Sequence, residues 1–107
     1  MNIFDIYLKK IKRLISKLNK DGLLELPESL DAINVEIPPP NFDFDLSSTV
    51  CMVLSKANKK SPSTLADNII PHIKNNDENI ENIKVEKPGF INIKFKSTFW
   101  NNFVEEI

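Results

Sequence analysis

The sequence predicts an α+β fold in which a small antiparallel sheet packs against several helices. Apolar residues recur at helical spacing in four segments, and apolar and polar residues alternate in shorter segments between them. A Pro-Gly pair separates the last two alternating segments, as expected of a turn that joins paired strands. With 107 residues the chain can bury one modest core. We therefore expect residues 1–107 to form a single domain.

The composition is that of an ordinary soluble globular protein, with 41% hydrophobic and 27% charged residues. No apolar run approaches the roughly 20 residues that a membrane helix needs, and the N-terminal segment lacks the pattern of a signal peptide. We therefore expect a cytoplasmic protein. Thirteen lysines against one arginine, with many asparagines and isoleucines, indicate AT-rich coding bias. The lysine content is accordingly discounted as a binding signal.

The first predicted helix covers residues 3–18, and Gly22 is expected to end this region. Its apolar stripe consists of Phe4, Leu8, Ile11, Ile15 and Leu18. Lys9, Arg13 and Lys17 fall on the opposite side. This basic face is compatible with an electrostatic platform for RNA or for an anionic membrane. Because charge runs on helices are usually solvated, we favour a solvated outer face.

A short half-buried strand is predicted next, where Ile33, Val35 and Ile37 alternate with polar residues. The three prolines at 38–40 should stop it and form an extended spacer into the loop at 41–45. From Leu46 the spacing is helical again, and Asp43 or Asp45 is placed to cap the N-terminus of this helix. Its predicted apolar face consists of Leu46, Val50, Val53 and Ala57.

The third helix is predicted to begin at Ser61-Pro62, an N-cap followed by proline at the first helical position. Its buried stripe is predicted to be Leu65, Ala66, Ile69, Ile70 and Ile73. Pro71 lies inside this pattern and removes one backbone donor, so we expect a kinked or shortened helix. A polar turn at residues 75–79 should follow.

Two strands, one containing Ile83 and Val85 and one from Phe90 to Phe95, are expected to pair antiparallel across Pro88-Gly89. Ser97 should then cap a last helix, whose apolar side contains Phe99, Trp100, Phe103, Val104 and Ile107. No C-cap signal follows this helix. We therefore expect the chain to be a fragment of a longer protein.

The strand Phe90–Phe95 carries the candidate site. Ile91, Ile93 and Phe95 should line the core face, since side chains alternate along a strand, and Phe90, Asn92 and Lys94 should line the other face. A polar and basic surface with one aromatic ring suits stacking of a nucleobase and attraction of phosphates. The alternative is that a neighbouring helix covers Phe90.

The sequence offers few candidates for catalysis. With one cysteine, Cys51, and one histidine, His72, it can form neither an internal disulfide nor a tetrahedral metal site of soft ligands. We expect Cys51 to be a packed core residue and His72 a surface or capping residue. Asp43 and Asp45 are close in sequence but are explained as caps. A stand-alone hydrolase is therefore the least favoured function.

Three stretches, taken in order, resemble the N-terminal appended domain of arginyl-tRNA synthetases. Asp45 to Lys56 is similar to the family's pattern of Gly-Asp, three residues, Asn, one residue, Ala-Met and then Leu-Ala-Lys. Ser61-Pro62 with Leu65-Ala66 is similar to its Asn-Pro-x-x-Leu-Ala helix start. Pro88 to Phe95, followed by Phe99-Trp100, is similar to its Pro-Gly-Phe-Ile-Asn strand and next helix. The sequence departs from the family's usual glycine, asparagine and alanine at Phe44, Thr49 and Cys51.

This resemblance implies a role in tRNA recognition. In that family the domain contacts the elbow of the tRNA, where an aromatic and an amide side chain read a D-loop nucleotide. The matching positions here are Phe90, which would stack on an unstacked base, and Asn92, which would hydrogen-bond the edge of that base. Lys87 and Lys94 are placed to meet phosphates. The implied partners are tRNA(Arg) and the catalytic domain of the same parent chain.

The same resemblance implies that the chemistry occurs elsewhere. The parent would be an arginine–tRNA ligase that uses ATP and Mg in a separate catalytic domain, and no cofactor is expected in this segment. The segment by itself is expected to be inactive. A competing hypothesis is a stand-alone protein-interaction or assembly domain, in which Phe90 and the basic helix contact another protein.

Overall fold

A computed structural model describes residues 2–39 and 43–99 of the chain. Within them, three helices and four strands follow in the order α1 (Ile3–Lys20), β1 (Val35–Glu36), β2 (Leu46–Ser48), α2 (Val50–Asn58), α3 (Pro62–Asn75), β3 (Ile80–Glu86) and β4 (Phe90–Phe95). Residues 97–99 begin a further helical segment. These elements confirm the predicted α+β class.

The four strands form one antiparallel sheet in the order β1-β2-β4-β3. Strand β4 is central, and it pairs with β3 through the predicted hairpin and with β2 on its other side. The three helices contribute buried residues to the same core as Ile91, Ile93 and Phe95 of β4. The helices therefore pack on the face of the sheet that these three side chains occupy.

Helix α1 agrees with its prediction and runs two residues further, to Lys20. The Asn2 side chain caps it by accepting a hydrogen bond of 2.8 Å from the backbone N–H of Phe4. Gly22, with φ of +79°, follows the helix in the left-handed conformation that glycine adopts without steric cost. The buried face also includes Tyr7, which the predicted stripe omitted.

The prediction of a helix from Leu46 is wrong at its start. Leu46–Ser48 is strand β2, which pairs with β1 and β4, and α2 begins only at Val50. Neither Asp43 nor Asp45 caps this helix. The Asp45 carboxylate instead accepts a hydrogen bond of 2.8 Å from the backbone N–H of Phe95, and so extends the pairing of β2 with β4.

Two other local predictions also need correction. The strand at residues 33–37 is reduced to Val35–Glu36, and Ile37, predicted to be half-buried, is 75% exposed. Of the two effects predicted for Pro71, a shortened α3 is wrong, because the helix continues through Pro71 to Asn75, and a kink stays a prediction. The predicted start of α3 is confirmed, since the Ser61 hydroxyl accepts a hydrogen bond of 3.2 Å from the backbone N–H of Thr64.

The predicted C-terminal helix lies mostly outside the described residues. The structure describes residues 97–99 as helical, so the helix has begun by Ser97 rather than after it. Phe99 stacks on Phe95 with a centroid distance of 4.5 Å and meets the edge of Tyr7 at 6.3 Å. The prediction for Trp100, Phe103, Val104 and Ile107 concerns residues that are not described.

Candidate nucleic-acid interface

The outer face of β4, opposite the helices, carries Phe90, Asn92 and Lys94. Phe90 is half-buried and is not among the apolar residues that pack against the core. Among the described residues Phe90 therefore lies outside the core cluster. The alternation predicted for this strand places the aromatic ring and the basic side chain on one surface.

The neighbouring strands complete this surface. Ser47 of β2 and Lys84 of β3 lie directly opposite Asn92 on its two sides, and Glu86 of β3 lies opposite Phe90. Residues that face each other across paired strands project on the same side of the sheet. Ser47, Lys84 and Glu86 were not assigned to the site from the sequence. The polar residues at every second position of β3, Asn82, Lys84 and Glu86, are the sequence signal that would have assigned β3 to this surface.

Asn92 differs most from its predicted environment, because only 2% of its surface is exposed. Within the sheet, Ser47 and Lys84 are its cross-strand neighbours, and Phe90 and Lys94 lie two residues away on either side along β4. Among the described residues its side chain makes no hydrogen bond, yet none of its polar atoms is completely shielded from solvent. The described residues thus leave the donor and acceptor groups of this nearly buried amide unpaired.

The two lysines of the predicted site differ in their surroundings. Lys87 lies exposed in the turn between β3 and β4. Lys94 forms an ion pair with Asp43, whose side chain is 91% exposed. The hydrogen bond from Lys94 to Asp43 is the main cause that raises the pKa of the lysine above its usual value. A phosphate at Lys94 would therefore have to displace an exposed, freely solvated carboxylate.

The turn that presents Phe90 is fixed by close packing against α3. A β-carbon on Gly89 would lie 2.3 Å from Cβ of Pro62 and 3.0 Å from Cγ of Met52. Only a residue without a β-carbon can approach this closely. The Pro-Gly pair thus holds the beginning of β4 against the first turn of α3, which sets the position of Phe90.

The residues considered for catalysis have other environments. Cys51 is completely buried, and this burial raises the pKa of its thiol to about 12. The predicted packed cysteine is confirmed.

Residues 2–39 and 43–99 contain no group of three or more His, Cys, Asp or Glu side chains that could hold a metal ion. No helix within the same residues is long and apolar enough to cross a membrane.

The fold and this surface define a small α+β domain with helices on one sheet face and an aromatic, an amide and basic side chains on the other. The chain belongs to the family described as the arginyl tRNA synthetase N terminal domain, whose model matches residues 5–95.

Its relatives are arginine–tRNA ligases. The chain is 66% identical to the enzyme of Pelagibacter ubique over 107 residues, which are 100% of this chain and 18% of the relative. It is 43% identical to the enzyme of Bartonella tribocorum over 98% of this chain and 18% of that relative. The chain thus spans about a fifth of the length of these relatives. No solved structure matches it.

Proposed function

We propose that this chain is the tRNA-binding accessory domain of an arginine–tRNA ligase. It would recognise the elbow of tRNA(Arg) through the D-loop, while a separate catalytic domain of the same parent chain carries out ATP- and Mg-dependent aminoacylation in the cytoplasm. The segment alone would be inactive. Family membership and the relatives' names support the ligase assignment. The outer face of β4 supports the binding role.

The position of Phe90 carries this proposal. Its side chain is only partly buried, and it lies beside an amide that makes no side-chain hydrogen bond among the described residues. Looped-out RNA bases are commonly held by one stacked aromatic ring and one hydrogen-bonding side chain. In the proposed complex Phe90 stacks on a D-loop base and Asn92 bonds the edge of that base. Because Asn92 is recessed, the base must come down onto the sheet surface to reach it.

Lys87 and Lys94 are proposed to contact the flanking phosphates. Lys87 is exposed and free to move toward the RNA backbone. Lys94 would exchange Asp43 for a phosphate, which carries a similar charge to the carboxylate that it leaves. Such contacts position the RNA without reading its sequence. Their loss should weaken binding of all tRNAs to a similar extent.

Phe90→Ala tests this assignment directly. Removing the stacked ring should weaken binding of tRNA(Arg) by about 1–3 kcal/mol, or about 5- to 150-fold in Kd. The measurement is fluorescence anisotropy of labelled tRNA titrated with the 107-residue chain. Far-UV circular dichroism of the variant verifies that the domain remains folded.

Leu23→Ala is the matched control, because Leu23 is an exposed apolar side chain that follows α1 and lines a depression with residues of α1 and α3 and none of β4. Its Kd should equal that of the unmodified chain. Equal loss in both variants, or no loss in folded Phe90→Ala, would contradict the assignment of Phe90. Binding that is insensitive to salt would instead favour a protein-interaction domain, since phosphate contacts weaken as salt rises.

A further inference from the structure

Helix α1 presents a second cationic surface that the proposed D-loop site does not use. We define the α1 cationic surface as Lys12, Arg13, Lys17 and Lys20, which together with Ser16 line one shallow depression. Arg13, Lys17 and Lys20 follow each other at spacings of four and three residues, so their Cβ atoms lie about 5–6 Å apart on one side of the helix, and Lys12 directly precedes Arg13. Arg13, Lys17 and Lys20 are exposed.

Members of this surface form no ion pair within the described part of the chain. The ion pairs among residues 2–39 and 43–99 are Lys10–Asp77 and Lys94–Asp43, and neither includes a member of the α1 cationic surface. Within α1 the one carboxylate is Asp5, in the first turn. Like charges three or four residues apart destabilise a helix by a few tenths of a kcal/mol per pair. The cluster is thus a small cost that packing of the opposite face must offset.

The helix dipole explains only part of this cluster. Cations in the last turn interact favourably with the negative C-terminal end of a helix, and Lys17 and Lys20 occupy that turn. The effect falls off within one turn, so it does not account for Lys12 or Arg13. Arg13 uses its Nε–H for a 3.4 Å hydrogen bond to the Lys9 carbonyl, which directs the guanidinium along the helix surface.

The chemistry of the surface favours a polyphosphate over a bilayer. A helix that lies on a membrane inserts an apolar face between the lipids. In α1 the apolar side chains Tyr7, Ile11, Ile15 and Leu18 are buried in the core, and the other apolar side chains of the helix pack against it. The exposed positions of α1 are therefore charged and predominantly cationic. A row of cations without apolar side chains between them suits the phosphates of a nucleic-acid backbone.

We propose that the α1 cationic surface binds the phosphate backbone of RNA, as a contact separate from the outer face of β4. This inference rests on the proposed function, since the RNA is taken to be the tRNA that the domain recognises. Helix α1 and Phe90 belong to opposite sides of the sheet. One RNA molecule must therefore extend around the domain to reach both, and the two contacts contribute independently.

The salt dependence of tRNA binding separates the two contacts. Each phosphate that a protein cation neutralises contributes about 0.7–0.9 to the magnitude of the slope of log K against log salt. The triple variant Lys12→Gln, Arg13→Gln, Lys17→Gln should therefore reduce the slope of this plot by about 2–3. Anisotropy titrations between about 50 and 200 mM KCl, the range over which such contacts act most strongly, provide the measurement. Glutamine preserves helix propensity, and circular dichroism checks the fold.

The matched control removes three cations elsewhere. Lys56→Gln, Lys59→Gln, Lys60→Gln changes the net charge equally, at exposed positions around the end of α2. This variant should keep the slope of the unmodified chain. An equal decrease in both triple variants would overturn the inference in favour of a general charge effect. An unchanged slope in the α1 variant would also overturn it.

Measuring Phe90→Ala in the same titration tests the proposed function separately from this inference. Loss of a stacking contact should lower affinity without changing the slope. If the α1 triple variant keeps the salt slope and Phe90→Ala binds tRNA more weakly, only the inference is overturned. If the α1 triple variant has a reduced slope and Phe90→Ala binds tRNA with unchanged affinity, the inference is supported and the D-loop assignment is overturned. Sedimentation with phosphatidylserine vesicles tests the alternative that the α1 cationic surface binds a membrane. Vesicle binding that the α1 triple variant abolishes, with its tRNA slope unchanged, would assign the surface to a membrane.

Discussion

Tyr7 and Asp77 form a buried hydrogen bond that joins two distant parts of the chain. The Tyr7 hydroxyl donates to Asp77 Oδ2 at 2.7 Å, across 70 residues of sequence. Lys10 Nζ lies 3.2 Å from the same oxygen, and the backbone N–H of Asn79 donates to Oδ1 at 2.9 Å. The carboxylate is thus surrounded by donors from α1 and from the turn before β3. This arrangement fixes α1 against the end of α3.

Removing the Tyr7 hydroxyl should destabilise the domain. Tyr7→Phe keeps the ring and its 4.8 Å contact with Phe95 but leaves Asp77 without one donor. Hydrogen bonds to charged groups contribute about 1.5–3 kcal/mol, so the free energy of unfolding should fall by about this amount. Urea denaturation followed by circular dichroism measures the change. A loss below about 0.5 kcal/mol would mean that solvent replaces the hydroxyl, against the burial described here.

The same carboxylate predicts a pH dependence of stability. Burial alone would raise the pKa of Asp77, but hydrogen bonds from Tyr7 and Asn79 and the charge of Lys10 outweigh it and hold the pKa below its usual value. A depressed pKa stabilises the fold above the pKa of the unfolded chain, and this contribution disappears as pH falls through the folded value. The free energy of unfolding should therefore decrease below about pH 4.

Asp77→Asn isolates this contribution from that of the other carboxylates. The variant cannot titrate at this position, so its stability at neutral pH should be lower and should fall less steeply in acid. Urea midpoints measured from about pH 2 to 7 on both proteins give the difference. Parallel curves for the two proteins would show that Asp77 titrates as it does in the unfolded chain.

The sequence predicted correctly which face of the sheet the β4 side chains occupy, but it did not predict how buried each of them is. Alternation along β4 places Phe90 and Lys94 opposite Ile91 and Ile93, as predicted. The near-complete burial of Asn92 was not predicted, and its cross-strand neighbours Ser47 and Lys84 depend on the register in which β2 and β3 pair with β4. A sequence contains the alternation of a strand but not the strands that come to lie beside it.

At the scale of elements, the β3–β4 turn and the beginning of α3 behave as one packed unit. Gly89→Ala adds a β-carbon that must move Pro62, and it does so at φ of +150°. The free energy of unfolding should fall by about 1–3 kcal/mol beyond the backbone strain, as for other overpacked sites. Thermal or urea denaturation measures this loss.

Gly22→Ala separates the backbone cost from the steric cost. Gly22 also has positive φ, +79°, but a β-carbon there meets nothing within 4 Å. Its substitution should cost only the left-handed conformation, about 1–2 kcal/mol. If the two alanine variants lose equal stability, the contact between the turn and α3 does not constrain Gly89.

Strand β2 shows why one element was missed. Three residues are too few to distinguish a period of 2 from a period of 3.6, and all three are buried, so no alternation is visible. The apolar residues that follow continue the helical spacing backwards to Leu46 by coincidence. Helices α1 and α3 were predicted well because each has several turns of periodic burial and a local cap, at Asn2 and Ser61 respectively.

At the scale of the whole molecule, Cys51 reports on the integrity of the core. It is fully buried on α2 among residues from all three helices and from β2 and β4. The thiolate is the reactive form, and burial raises the pKa of this thiol to about 12, so the native thiol should react only through unfolding. For a domain that is stable by about 5 kcal/mol, labelling by an aromatic disulfide reagent should slow by about 10³-fold or more relative to the denatured chain.

A second thiol supplies the control for this measurement. Ser63 is exposed near the start of α3, so Ser63→Cys in a Cys51→Ala background should react in native buffer at nearly the rate of the denatured chain. Rapid native labelling of Cys51 itself would mean that α2 opens without global unfolding.

The fold class was predictable from the sequence, whereas the strand order was not, because pairing of β2 with β4 joins segments separated by more than 40 residues.

The edges of the sheet have a consequence for self-association. Unpaired strand edges can template the addition of strands from other molecules, which leads to aggregation. One edge here, β1, is two residues long and is followed by Pro38 and Pro39, which lack the N–H groups that a new strand would need. The other edge, β3, carries Glu81, Lys84 and Glu86 and an irregularity at Ile80/Asn82. Both edges should therefore oppose the addition of strands from other molecules.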